Sequence, residues 1–98
     1  MKVILGKDAK EDIRDASRYY KERSDRAVAN FVSELETVVA GMREWPKRWP
    51  PIEPGDERRV ALLDRFPYEI IYRPTAKQIK ILAVRHNERH PDFGLDRT

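Results

Sequence analysis

The side chains able to do chemistry are gathered in the second half of the chain. The stretch RFPYEIIYRP, residues 65–74, sets one carboxylate, Glu69, between Arg65 and Arg73. Further on, His86 stands between Arg85 and a tail carrying Arg89. Basic groups clustered in this way suit an anionic partner, and an acid among them either takes part in proton transfer or cancels charge. His86, Glu88, His90 and Asp92 have the donor types of a metal site, but a polar tail broken by Pro91 promises too little order to hold one, so no metal and no other cofactor is expected. The sequence has no cysteine, which excludes thiol nucleophiles, disulfide frameworks and cysteine-based zinc sites.

Charge is divided unevenly. Residues 1–57 hold 11 Lys/Arg against 12 Asp/Glu, whereas residues 58–98 hold 9 against 5, so the net charge of +3 comes from the second half. At 98 residues the chain fits a single domain, residues 1–98, with one hydrophobic core. Its apolar runs are far shorter than a membrane span or the apolar region of a signal peptide. A soluble cytoplasmic protein with no membrane association is the expectation.

These side chains must be positioned by a small set of elements. Val3, Ile4 and Leu5 before Gly6 suit a short strand, and Asp8 with Glu11 has the spacing of a capping box. Ala9, Ile13, Ala16 and Tyr20 recur at helical spacing and predict a helix ending near Arg23. Ser24 or Asp25 can cap a second helix, whose stripe of Val28, Phe31, Leu35, Val38 and Met42 is the strongest periodicity in the chain. The short turn between them predicts an antiparallel helical hairpin. Four prolines in EWPKRWPPIEPGDE, residues 44–57, stop the helix and make a stiff link. Trp45 and Trp49 are expected to pack over the end of the core, with nucleotide stacking as the alternative. Three strands follow, roughly Arg58–Leu63, Phe66–Arg73 and Gln78–His86, with short breaks that predict an antiparallel meander. The fold class is α+β: an N-terminal strand, a two-helix hairpin and a three-stranded meander, the helices lying on one face of a small antiparallel sheet.

A two-residue turn at Asp64-Arg65 pairs Ala61 with Tyr68, and matching of apolar faces pairs Ile70 with Ile81 and Tyr68 with Ala83. One face then holds Phe66, Tyr68, Ile70, Tyr72, Ile79, Ile81 and Ala83 and receives the helices. The other is mixed, with Val60, Leu62, Glu69, Ile71, Leu82, Val84 and His86. On it Glu69 lies within diagonal reach of Arg58 and Lys80, which predicts a structural ion pair. So apolar a face needs a cover, either the tail with Phe93 and Leu95 or a partner.

Taken in order, these elements, with RR at 58–59, RFPYEIIY at 65–72 and ILAVRHNERHP at 81–91, resemble the RelE/ParE family of toxins from bacterial type II toxin-antitoxin systems. The resemblance covers nearly the whole chain. It implies a cognate antitoxin that neutralises the toxin in a hetero-oligomer, and one of two targets. RelE-like members cut messenger RNA on the ribosome with basic side chains; ParE-like members poison DNA gyrase and have no recognised ribonuclease site. Aligned on the PYEIIY strand, Glu69 falls where RelE-like nucleases commonly carry an essential arginine, Val60 and Leu62 fall where RelE has lysines, and Asn87 falls at a further arginine. Cleavage at phosphate needs positive charge held ready, and these residues do not supply it. The resemblance therefore leans to ParE-like growth inhibition through gyrase, of the kind that serves plasmid stabilization, with no catalytic residue expected and with Arg65, Arg85, His86 and Arg89 as target-binding candidates. One alternative is a ribosome-dependent endoribonuclease with Glu69 as base, His86 as acid and Arg65 beside them, since the predicted register places Glu69 and His86 on one face. Another is a degenerate, non-toxic protein-binding module. The tail departs from the family pattern at Gly94, where related tails carry Trp, and weaker docking of the tail by a large aromatic is expected.

Overall fold

The computed structural model describes residues 1–98. Six elements follow in order: β1 (Lys2–Leu5), α1 (Lys7–Arg23), α2 (Asp25–Glu44), β2 (Arg59–Leu62), β3 (Tyr68–Pro74) and β4 (Gln78–His86). The strands form one sheet in the order β1-β4-β3-β2. The meander is antiparallel as predicted. β1 joins its far side parallel to β4, from Lys2 opposite Gln78 to Leu5 opposite Ile81, so the sheet as a whole is mixed.

The helices begin and end where backbone groups find partners. α1 starts one residue before the expected cap: Gly6 precedes it without a side-chain cap, and Asp8 lies inside the first turn. Gly6 is tied to the sheet instead, its N–H donating to the Ile81 carbonyl at 2.9 Å. A Cβ there would stand 3.1 Å from that oxygen, closer than most side chains are found. Ser24 serves both helices. Its N–H donates to Tyr20 O at 3.0 Å and closes α1, while its hydroxyl accepts the Ala27 N–H at 2.9 Å and opens α2. A joint of one residue forces the two helices antiparallel.

The main core lies between the hairpin and one face of the sheet. Ala9, Ala16 and Tyr20 of α1 and Phe31, Leu35, Val38 and Met42 of α2 pack on Ala61, Ile70, Tyr72, Ile79, Ile81 and Val84. Tyr20, Phe31, Phe66 and Tyr68 form an aromatic cluster at one end, with centroids 5.0 to 6.2 Å apart and mostly edge-on contacts. Trp49 packs against the other end, edge-on to Tyr72, but Trp45 does not: its side chain stands in solvent, 62% exposed, contrary to the expected packing.

Both hairpin registers differ from the expected ones. Between β2 and β3 the pairs are Ala61 with Ile70 and Leu62 with Glu69, two residues away from the two-residue-turn register. The connection is longer because Glu34, buried on α2, accepts the backbone N–H groups of Asp64 and Arg65 and holds the loop open. An even slip leaves each side chain on its expected face. Between β3 and β4, Ile71 opposes Ala83 but Tyr72 opposes Ile81, so Leu82 is an extra residue in a β-bulge. Beyond the bulge every side chain of β4 changes face. Val84 and His86 lie on the helix face, and Ala83 and Arg85 on the other.

That second face carries its own small core of Ile71, Leu82 and Ala83, packed by Ile52, Val60 and Leu95. The tail thus covers it. Gly94 makes this close approach: it is buried, has φ of +82°, and a Cβ on it would stand 2.8 Å from Ala83 Cβ. The departure from a Trp at this position therefore does not leave the tail loose; the tail docks by backbone proximity.

Candidate functional site

Glu69 and its neighbours show what the bulge does to the site. Glu69 pairs with Arg85 across the strands, its carboxylate accepting Arg85 Nε at 3.0 Å, with the two side chains only 17% and 10% exposed. Arg85 also donates to the carbonyls of Pro91 at 2.6 Å and Phe93 at 2.8 Å, so the guanidinium fastens the tail over the second face. The expected partners Arg58 and Lys80 are not the ones used. Arg58 is held by Asp56, with bonds at 3.1 and 2.9 Å, and by the Leu95 carbonyl. The hydrogen bonds from Arg58 hold the Asp56 carboxyl down at about 2, well below the ordinary carboxylate range. Lys80 lies at the β1 side of β4, opposite Ile4 and Arg73.

His86 faces the other way. It opposes Tyr68, with ring centroids 5.2 Å apart, and so shares the helix face, not the face of Glu69. The sheet separates the two. A carboxylate and an imidazole on opposite faces cannot act on one substrate, so the paired acid and base imagined from the expected register are not assembled. The Nδ1 of His86 accepts the Glu88 N–H at 3.1 Å, which leaves Nε2 without a partner inside the chain.

His86 does meet other polar groups. With Tyr19, Tyr68, Arg89, Asp12 and Asp15 it lines a cleft of about 270 Å³ between α1 and the ends of β3 and β4. Burial, reinforced by Tyr19, pushes the Tyr68 hydroxyl above its ordinary pKa, so it remains a hydrogen-bond donor at neutral pH. Arg89 is exposed, its guanidinium 4.9 Å from the Phe93 ring centroid. Arg65 lies at the same end of the sheet, since the Asn87 N–H donates to Pro67 O at 2.8 Å and ties its loop to the tail. Arg65 contacts Glu34 at 3.3 Å but is 64% exposed. Of the four target-binding candidates, His86 and Arg89 line the cleft and Arg65 is exposed on the adjoining loop at its rim, while Arg85 reaches the cleft wall but is mostly buried beneath the tail. This rim can recognise an anionic or acidic surface.

Three residues that sequence reasoning passed over turn out to hold this end together: Asp12, Glu34 and Arg97. Asp12 accepts the Val84 N–H at 3.0 Å and pairs with Arg97, which also donates to Leu82 O at 3.0 Å. Asp12 and Glu34 each sit inside the apolar stripe of their helix, between Ala9 and Ala16 and between Phe31 and Val38, and an acid on a core-facing stripe is a readable sign of a buried partner.

A second concavity is apolar. Val3, Leu5, Val32, Val39 and Ala40 line a groove of about 390 Å³ between β1 and the hairpin, floored by Ile70 and Ile81. Leu5 and Val32 stay exposed there.

Known proteins agree with this architecture. A solved chain described as "Chromosomal ParDE TA system from P. aeruginosa" superposes with a TM-score of 0.74 at 17% sequence identity, over 88% of this chain and 95% of that chain. At that identity the likeness carries the fold. No curated protein sequence matches. The sequence model described as "ParE toxin of type II toxin-antitoxin system, parDE" matches residues 3–91. Because that match takes in both helices, β2 to β4 and all but the first residue of β1, the chain belongs to the ParE toxin family of type II toxin-antitoxin systems.

Proposed function

We propose that this chain arrests growth by a ParE-like action on DNA gyrase in the cytoplasm, without cleaving RNA, and that a cognate antitoxin neutralises it in a hetero-oligomer. The observation that carries the choice of action is the Glu69–Arg85 pair. Glu69 stands where a nuclease of the related RelE type carries positive charge, it is occupied by Arg85 under the tail, and the sheet separates it from His86. The effector surface on this reading is the rim of Arg65, His86 and Arg89. Inhibition of gyrase supercoiling by the purified chain, with messenger RNA left intact on translating ribosomes, is the expected result. Ribosome-dependent cleavage with no effect on gyrase overturns it.

The antitoxin is assigned to the apolar groove. Since the tail and Ile52 already cover Ile71, Leu82 and Ala83 on the second face and leave only Leu62 exposed at its β2 margin, the groove is the larger apolar opening for an amphipathic segment, whose apolar side chains would seat on Leu5, Val32 and Val39. Val32→Glu is expected to leave the toxin active and to abolish rescue by the antitoxin in co-expression. Full rescue of that variant places the antitoxin elsewhere.

A further inference from the structure

Trp45 is the most exposed of the large hydrophobic side chains, and the backbone that presents it is held rigidly. Its N–H donates to Gly41 O at 2.8 Å, and its carbonyl accepts the Arg48 N–H at 3.0 Å. The Tyr72 hydroxyl donates to Pro46 O at 2.7 Å, and Arg59 donates to Trp49 O at 2.6 Å. A turn fixed at so many points, with an indole standing free on it, is preorganised to present a flat ring. Leaving that ring in water is costly, and nothing in its own fold covers it.

The ring overlooks an open trough of about 960 Å³. Trp45, Lys47 and Arg48 form one wall and the β3–β4 turn at Pro74, Thr75 and Ala76 the other. This trough has two cations and no acid. Lys47, Pro74 and Thr75 continue into a second hollow of about 430 Å³ that reaches Arg59 and Arg73. Of the two acids in that hollow, Asp56 is engaged by Arg58, which leaves Glu57 alone against three cations.

We infer that this trough binds single-stranded nucleic acid, one unpaired base stacking on Trp45 while Lys47 and Arg48 hold the flanking phosphates. The inference stands apart from the target proposed above. A single exposed ring beside Pro46 offers one slot for one flat group, and the two cations lining the same trough, Lys47 and an Arg48 whose guanidinium rests 4.9 Å from the Trp49 ring centroid, supply the charge that a phosphodiester backbone needs. An extended peptide needs pockets at alternate positions and a free strand edge, which this trough lacks. A duplex has no free base face to offer.

The probe is a fluorescein-labelled oligothymidine of about 12 nucleotides, near the site size of a small single-strand binder, titrated into the purified full chain and read by anisotropy. Trp49→Phe leaves Trp45 as the sole indole, and its fluorescence should be quenched on binding. Trp45→Ala should weaken affinity roughly 5- to 150-fold, the range for removal of one base–aromatic stack. Lys47→Glu with Arg48→Glu should weaken it further at low salt and reduce the slope of log affinity against log salt by about 1.4, because two fewer phosphates are neutralised. Trp45→Phe should retain most of the binding. Absence of binding, an unchanged affinity in Trp45→Ala, or equal binding of a matched duplex overturns the inference. Equal displacement by poly-glutamate also overturns it and assigns the trough to an acidic protein segment. Should Trp45→Ala fail to fold, the quenching and the charge-reversal arms decide alone.

Discussion

Replacing Glu69 by Gln separates a structural role from a chemical one. The amide oxygen still accepts from Arg85 Nε, and Arg85 keeps its bonds to Pro91 O and Phe93 O, so only the charge-assisted part of one hydrogen bond disappears. Bonds to charged groups exceed neutral ones by about 1 kcal/mol, which is the expected drop in stability. In a chain of 98 residues that lowers the melting temperature by about 4–8 °C. Glu69→Ala removes the acceptor and leaves the Arg85 Nε without it beneath the tail, at a cost of about 2–3 kcal/mol. This is less than for a fully buried pair, because both side chains keep some exposure to water. Urea unfolding followed by tryptophan fluorescence gives the stabilities, and growth arrest from an inducible promoter gives the toxicity. Toxicity should fall only as far as the folded fraction falls. A general base behaves differently: the Gln variant then loses about a hundredfold or more in rate at near-normal stability. Ribosome-dependent RNA cleavage in the parent that vanishes in both Glu69→Gln and His86→Ala refutes the reasoning.

Gly94→Ala must place a Cβ against Ala83 at positive φ, and a destabilisation of about 2 kcal/mol in urea unfolding is expected, with faster hydrogen exchange at Ile71 and Leu82 beneath the loosened tail. Ser24→Ala removes the cap of α2 and should cost about 1 kcal/mol by the same measurement. Asp56 titrates at about 2, below its ordinary 3.8, so its contribution to stability is present above about pH 4 and is lost as pH falls toward 2; Asp56→Asn should flatten that part of the acid-unfolding curve. Arg89→Glu combined with His86→Ala should abolish growth arrest at a cost in unfolding free energy of no more than about 1.5 kcal/mol, the contribution of the lost edge-on contact between His86 and Tyr68, since Arg89 is exposed and His86 is only half-buried.

Most of the architecture was legible because the apolar periods are clean. The 3.6-residue stripe from Val28 to Met42 marks α2, and Ser24 marks the joint. The site was legible only in part, and the reason is the sequence ILAV at 81–84. Four consecutive apolar residues show no alternation, so nothing in their types reveals that Leu82 is the extra residue of a bulge. Matching of apolar faces then carries the alternation through unbroken and places Val84 and His86 on the wrong side, and with them the imagined pairing of His86 with Glu69. Trp45 was misplaced by a different route. Size argues for burial, but Trp45 follows the last turn of α2 at its C-cap, where the chain leaves the core-facing stripe, and only Trp49 turns back inward.

The two outer edges of the sheet are not equivalent. Along β2 the segment Pro50 to Ile52 lies as a seal: Pro50 O accepts the Val60 N–H, Pro51 bridges Arg59, and Ile52 donates to Arg58 O. Two successive prolines have no N–H to offer a further strand, so hydrogen bonding in that direction stops there. β1, at the opposite margin, has a strand on one side only. Strand addition is thereby confined to one margin per molecule, beside the apolar groove. Two copies joined through β1 would consume both free margins and leave sealed ones outward. Sheet-to-sheet association through strand edges would therefore stop at a pair, because the prolines leave no second margin to extend.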